Sequence, residues 1–313
     1  MAAEAPAQAQ IQAPLVGGDW GAALQALKRQ ATLAVENNPP PKPAPLAVLV
    51  LVLHTQGSTP REAGAWMLVT PQLVLGTIGG GQLEWQLLEQ ARSALQAGVA
   101  FEAFVSRHAL GPSLGQCCGG VMQVQTECIS TVQQAQDLGT RWQAARQPLA
   151  LFGGGHVGRA LVQALQPLPF AVRWVDSRDG VFSTDLPAWV QCEHSDPVHR
   201  AVADLPPHSM VLIMSFSHAE DLDVVQACLQ RQRAKGDLCW VGLIGSRTKW
   251  VTFRHRLEAR GFAPDELDFV TCPIGLTGIT GKQPEVIAAS VVAQLLLVSE
   301  QRAAPTSVEK RPS

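Results

Sequence analysis

The sequence predicts an α/β protein of two domains: a smaller mixed α/β domain, then a C-terminal parallel sheet with helices on both faces. Three observations carry this. The chain has 313 residues, a length that suits about two domains. Its second half alternates apolar strand-like runs with helical stretches, the pattern of a parallel sheet. One strand-to-helix junction in that half carries the spacing Gly153-x-Gly155-x-x-Gly158.

Composition narrows the class. Hydrophobic residues make up 46%, enough for sizeable cores, and 24 Lys+Arg oppose 26 Asp+Glu for a net charge of −2. So balanced a chain has no global electrostatic attraction for nucleic acid. The short basic cluster Lys249, Arg254, His255 and Arg256 reads as a solvated helix face. The cysteines, at 117, 118, 128, 192, 228, 239 and 272, are odd in number and contain no Cys-x-x-Cys, which points to a reducing compartment. The opening "MAAEAPAQAQIQAP" lacks the basic and apolar regions of a signal peptide. The apolar run 46–53 falls far short of the ~20 residues of a membrane span. The expectation is a cytoplasmic protein with no membrane or nucleic-acid partner, and with disordered tails over 1–17 and 301–313.

Residues 20–36 have apolar spacing suited to a helix, stopped by "NNPPPKPAP". "LAVLVLVLHT" reads as a fully buried strand, "GSTPREAG" as a turn, and "AWMLVT" and "QLVLGTI" as two strands joined around Thr70-Pro71. Three glycines, Gly79 to Gly81, open an amphipathic helix that stops at Gly98. "AFEAFVSRHAL" and "VMQVQTECI" are strand-like, and they flank the segment "GPSLGQCCGG". The N-terminal domain is thus expected over 18–130, a connecting helix over 131–147, and the parallel-sheet domain over 148–300. Within the last, "LALF", "FAVRWVD", "MVLIM" and "CWVGLIG" are strands, and residues 284–299 form a final helix that packs on the sheet.

The glycine spacing follows a strand and opens a helix. Its first glycine allows the tight turn, the second lets a phosphate approach the backbone, and the third lets the helix pack close to the strand. Asp176 ends the next strand, 23 residues after Gly153, where an acid meets a ribose hydroxyl in dinucleotide folds. This is a Rossmann-like domain. Whether the turn holds NAD(P), another ligand or none stays open, because fold does not fix function. Gly242, Gly245 and Ser246 form a second turn at a strand end, with Arg247 and Lys249 able to neutralise a phosphate or simply to line a solvated face. Ser217, His218, Asp221 and Asp223 suit either a catalytic base at a strand end or, more economically, the capping of the next helix. His54, Ser58, Thr59, Arg61 and Glu62 share one glycine-bounded loop whose donors suit an anion or a polar heterocycle. Adjacent Cys117 and Cys118 are a poor zinc site, with His108 the only near candidate partner. A thiolate on a glycine loop suits a soft metal or the passing-on of sulfur, and a buried inert pair is the bland alternative.

The blocks "GSTPREAGAWMLV", "GTIGGGQLE", "GPSLGQCCGG", "FGGGHVGRAL", "VDSRDGVF", "GLIGSRTKW" and "CPIGLTGITGKQPEVIAASVVAQLL" occur in one order. As a set, over about residues 18–298, they resemble the XdhC family of xanthine dehydrogenase accessory proteins, also grouped as XdhC/CoxI. The last block is most similar to the xanthine-dehydrogenase-linked branch. The resemblance implies a non-catalytic chaperone for the molybdopterin form of the molybdenum cofactor. Such a chaperone shelters the cofactor during sulfuration by a NifS-like cysteine desulfurase, works with cofactor biosynthesis proteins, and inserts the cofactor into the large subunit of xanthine dehydrogenase. Family members are often homodimers. The residues compatible with holding this cargo are Ser58, Arg61, Gly79, Gly80, Gly81, Gly153, Gly155, Gly158, Asp176, Gly245 and Arg247, with Cys117 and above all Cys118 at the molybdenum end. An NAD(P)-dependent oxidoreductase using the Rossmann-like domain is the alternative, weakened by the absence of tyrosine and of a clear acid/base pair. A sulfurtransferase carrying a persulfide on Cys117 or Cys118 is a third class.

Overall fold

The computed structural model describes residues 20–36, 44–111, 119–182, 186 and 189–303. The chain divides into two compact units between Ala145 and Arg146.

The N-terminal unit is built on β1 (Ala47–Gln56), β2 (Trp66–Val69), β3 (Val74–Gly76), β4 (Phe104–Ala109) and β5 (Val121–Ile129). These form an antiparallel sheet in the order β3-β2-β1-β5-β4. The central strand β1 is buried from Ala47 to Val52 because both of its faces are covered. The helix α2 (Gly81–Ala97) lays Leu83, Leu87 and Ala91, one helical stripe, into the core with Val48, Val50, Val52, Met67 and Val69. Helices α1 (Trp20–Glu36) and α3 (Val132–Ala144) pack against each other. Trp20 reaches the sheet edge-on to Trp66, with ring centroids 5.0 Å apart. The stretch expected to connect the domains therefore contains a helix that packs within this unit. It ends at Ala144, and a new strand starts at Gln147.

The C-terminal unit contains β6 (Gln147–Phe152), α4 (His156–Leu165), β7 (Phe170–Asp176), β8 (Val190–His194), a 3₁₀ segment (Val198–Asp204), β9 (Met210–Ile213) and α5 (His218–Lys235). It continues through β10 (Trp240–Leu243), α6 (Arg247–Glu258), the short α7 (Pro264–Leu267), β11 (Val270–Thr271) and α8 (Pro284–Ala303). All six strands are parallel, in the order β11-β10-β9-β6-β7-β8. That is the order of a Rossmann sheet, with its topological switch point between β6 and β9. Ala150, Phe152, Val211, Ile213, Val241 and Leu243 face a core closed by α5, α6 and the 3₁₀ segment. The alternate residues Leu149, Leu151, Trp174 and Leu212 point to the other face, where α4 and α8 pack on each other. Arg231 pins the 3₁₀ segment to α5. Its buried guanidinium donates to the carbonyls of Val202 and Leu205, both at 2.7 Å, and pairs with Asp237 at 2.8 Å.

Candidate functional site

The N-terminal unit gathers its predicted donors at one end of the antiparallel sheet. As β1 ends, the chain turns through Gly57–Gly64, and β5 begins just after Gly120. The Gly120 N–H donates to Ser58 O at 3.0 Å, and a Cβ there would strike the Ser58 and Gln56 carbonyls. Pro60 lies over Gly79, 2.6 Å from where a Cβ would stand, at a φ of +123° that side chains rarely adopt. Arg61 Nη1 donates to Thr77 O at 3.3 Å and its other nitrogens pair with Glu62. The structure thus brings Pro60 and Arg61 against Gly79, and fixes Gly120, just beyond the cysteine segment, beside Ser58. Cys117 and Cys118 lie outside the described residues. His54 is exposed on β1. His108 Nε2 lies 2.7 Å from Ser106 Oγ.

The glycine turn already holds an anion, the chain's own Glu84. Its Oε2 accepts from Thr77 Oγ1 at 2.5 Å and from the amides of Ile78 and Gly80 at 2.9 and 3.0 Å, while Gly79 N–H donates to Thr77 Oγ1. Burial works to raise the Glu84 pKa, but the Thr77 hydroxyl and the turn's amides outweigh it and hold the group below 4.5. Because the folded pKa is depressed, this stabilisation is complete above pH 4.5 and fades as pH falls through the lowered folded value. Glu84→Gln is expected to lower stability at pH 7 by about 1 kcal/mol, a figure kept small because the group is partly screened by solvent. Urea unfolding should show that gap narrowing as pH is lowered below 4.5 and through the depressed folded value; a gap of equal size at pH 7 and in acid contradicts the role.

In the C-terminal unit, Gly153 follows β6 with φ +116° and packs against the Met214–Ser215 backbone that follows β9. Gly158 packs on the Gly153 carbonyl, as the third glycine of the spacing should. Gly155, the N-cap of α4, is exposed, with open space where a Cβ would be. The acid is where the sequence puts it, at the end of β7, but it is fully engaged. Asp176 Oδ1 accepts from the Arg178 amide and Nε, both at 2.9 Å, and Oδ2 accepts from Gly154 N–H at 2.6 Å and Arg178 Nη2 at 2.9 Å. The Asp176 side chain is 1% exposed. Burial works to raise its pKa, and the bonds from Arg178 and Gly154 hold it below its ordinary value instead. With four donors on two oxygens, no lone pair is left for a ribose hydroxyl. Val181 also fills the space over Gly154, where a Cβ would strike its methyl group. The residues as arranged do not fit the ribose contact of a bound dinucleotide.

Along the same sheet edge, Lys249 is drawn inward rather than offered to a phosphate. Its Nζ donates to Asp221 Oδ2 at 2.6 Å and to Ile244 O at 2.9 Å. Asp221 Oδ1 accepts from the Ser215 amide and hydroxyl. Gly245 packs against the Lys249 stem, Ser246 caps α6 and Arg247 stays exposed. Ser217 caps α5 by accepting from Glu220 N–H, and His218 is exposed. Sequence reasoning missed the Asp221–Lys249 pair, 28 residues apart, because nothing local reveals which loops meet.

The five described cysteines are all free. Burial pushes up the thiols of Cys128 and Cys192, that of Cys272 to about 11 and that of Cys228 to about 12. None of these four is a ready thiolate. Among the described residues no three His, Cys, Asp or Glu side chains are grouped to hold a metal, and no helix is long and apolar enough to cross a membrane.

A Rossmann unit whose ribose acid is taken by its own arginine, joined to an antiparallel unit with converging glycine loops, defines a two-unit α/β protein with a dinucleotide-type scaffold. The chain belongs to the XdhC family. Residues 149–295 match the XdhC Rossmann domain, and residues 46–104 match the XdhC and CoxI family. It is 28% identical to YqeB of Escherichia coli K12 over 267 residues, 84% of this chain and 45% of that protein, so it spans less than half the length of this curated relative. A crystal structure described as a xanthine dehydrogenase from Bacillus halodurans has the same fold, with a TM-score of 0.64 at 20% identity, covering 90% of this chain and 98% of that one.

Proposed function

We propose that the chain acts in xanthine dehydrogenase maturation as a non-catalytic chaperone of the molybdenum cofactor. It holds the molybdopterin form, keeps it available to a NifS-like cysteine desulfurase that replaces a terminal oxo ligand with sulfido, and delivers it to the large subunit of xanthine dehydrogenase. Family membership, with both family models matched in order along one chain, carries this reading. In this reading the chain is a cytoplasmic homodimer that receives its cargo from cofactor biosynthesis proteins.

The chemistry of the cargo fits what the residues offer. A phosphate monoester needs amide donors and a cation; the open Gly155 face at the α4 N-terminus and the exposed Arg247 are two such features in the C-terminal unit, and Arg61 is one in the N-terminal unit. Molybdenum and its incoming sulfur need a soft donor on movable backbone. Thiolate is such a donor, and Cys118 is the residue assigned to the metal end, with Cys117 beside it. Gly119, the next residue, has open space around it. A dinucleotide oxidoreductase has the strand order in its favour and the engaged Asp176 against it.

The test compares wild type with Cys118→Ala, both purified after co-expression with cofactor biosynthesis. The variant is expected to lose molybdenum retention or sulfuration by about tenfold or more, the scale of one lost metal ligand or its support. Unaltered retention and sulfuration refute the assignment of Cys118.

A further inference from the structure

The junction of β7 and α5 holds a carboxylate with an unused oxygen. Glu220 Oε1 accepts from Ser177 Oγ at 2.7 Å. Glu220 Oε2 is buried and, among the described residues, has no hydrogen-bond partner. A carboxylate oxygen withdrawn from water without a donor is costly, and native structures keep few such atoms. Phe216, four residues earlier in the chain, is 67% exposed, and the guanidinium of Arg178, the residue after Ser177, stacks on its ring, 4.7 Å from the centroid. Asp176 grips Arg178 through both oxygens, so this planar cation is held in place, and it feels the Glu220 charge. An acceptor lacking its donor thus lies beside an exposed aromatic surface and a fixed guanidinium plane.

We infer that Glu220, Ser177, Phe216 and Arg178 form a recognition site for a planar heterocycle with a ring N–H beside an exocyclic amino group, the 2-amino-4-oxo edge shared by guanine and pterin. That edge donates two parallel hydrogen bonds, the pattern a carboxylate accepts, and supplies the donor that Oε2 lacks. The ring face stacks on the aromatic and guanidinium planes. Adenine presents an acceptor where this site requires N–H, and a 2-oxo ring turns a carbonyl toward the carboxylate. The pterin source rests on the chaperone reading above; the guanine source does not.

The 313-residue chain is titrated with pterin and lumazine by fluorescence, and with GMP and AMP by calorimetry. Pterin or GMP is expected to bind, the tighter of the two identifying the source, with lumazine and AMP weaker by about tenfold or more. Glu220→Gln should weaken the favoured ligand by a similar factor and Ser177→Ala by less. Phe216→Ala, at an exposed position, tests the same site should Glu220→Gln fail to fold. The inference is overturned if wild type binds neither pterin nor GMP, if lumazine binds as well as pterin, or if Glu220→Gln binds unchanged. Molybdopterin retained equally by wild type and a Glu220→Gln variant with unchanged pterin and GMP binding sinks this inference and leaves the chaperone standing. Glu220-dependent binding of pterin or GMP without molybdopterin retention does the reverse.

Discussion

Gly153→Ala is expected to destabilise the chain by upward of about 3 kcal/mol, combining a left-handed backbone that resists side chains with a steric clash that cannot relax. The backbone φ is +116°, and the new Cβ would strike the Met214 carbonyl, which is main chain fixed at the end of β9. The turn cannot move away, because Gly153 N–H donates to Val175 O and its own carbonyl accepts from Trp174 Nε1. Against a typical total of 5–15 kcal/mol, such a loss is visible at once. Gly155→Ala is the control: its φ is −72° and nothing crowds the new methyl, so it should cost below about 1 kcal/mol, the scale of a changed N-cap. Chemical denaturation of both variants checks this; equal midpoints contradict it. The pair also separates scaffold from site, since a ligand phosphate approaching the turn would lose affinity in Gly155→Ala while the fold survives.

Asp221→Ala is expected to cost about 3–5 kcal/mol, the effect of leaving one member of a buried ion pair unpaired. The side chains of Lys249 and Asp221 are 11% and 3% exposed, so water cannot readily replace the lost partner. The Ser215 amide would also lose its acceptor. The double variant Asp221→Ala, Lys249→Met removes both charges and should recover much of the loss, because an apolar replacement of a buried pair is often near neutral. A double-mutant cycle from urea unfolding measures the coupling. If the double variant is as unstable as the sum of its singles, the pair is not coupled as the 2.6 Å contact implies.

The Rossmann unit was legible where local sequence governs it. Strand alternation and the Gly153-x-Gly155-x-x-Gly158 spacing set its core and its first turn. What escaped was short or long-range. β8, with only Val190 buried, and the two-residue β11 are edge strands with one neighbour each, too short for a hydrophobic period to declare them. Asp176 was placed correctly and still misleading, because its partner decides its role. The signal was Arg178, two residues on, which folds back onto both carboxylate oxygens. Glu84 was similarly in view within "GTIGGGQLE", yet only the folded turn shows that its carboxylate fills the glycine amides. The Asp221–Lys249 and Ser177–Glu220 contacts join separate loops of the sheet edge, which the strand order brings together and no local pattern announces.

The most direct measurement of the central claim is molybdenum and pterin content of the purified protein after co-expression with cofactor biosynthesis, followed by mixing with cofactor-free xanthine dehydrogenase. Cofactor-loaded chain that restores xanthine oxidation is the predicted result. A chain that carries neither molybdenum nor pterin, and leaves the cofactor-free enzyme inactive, contradicts it.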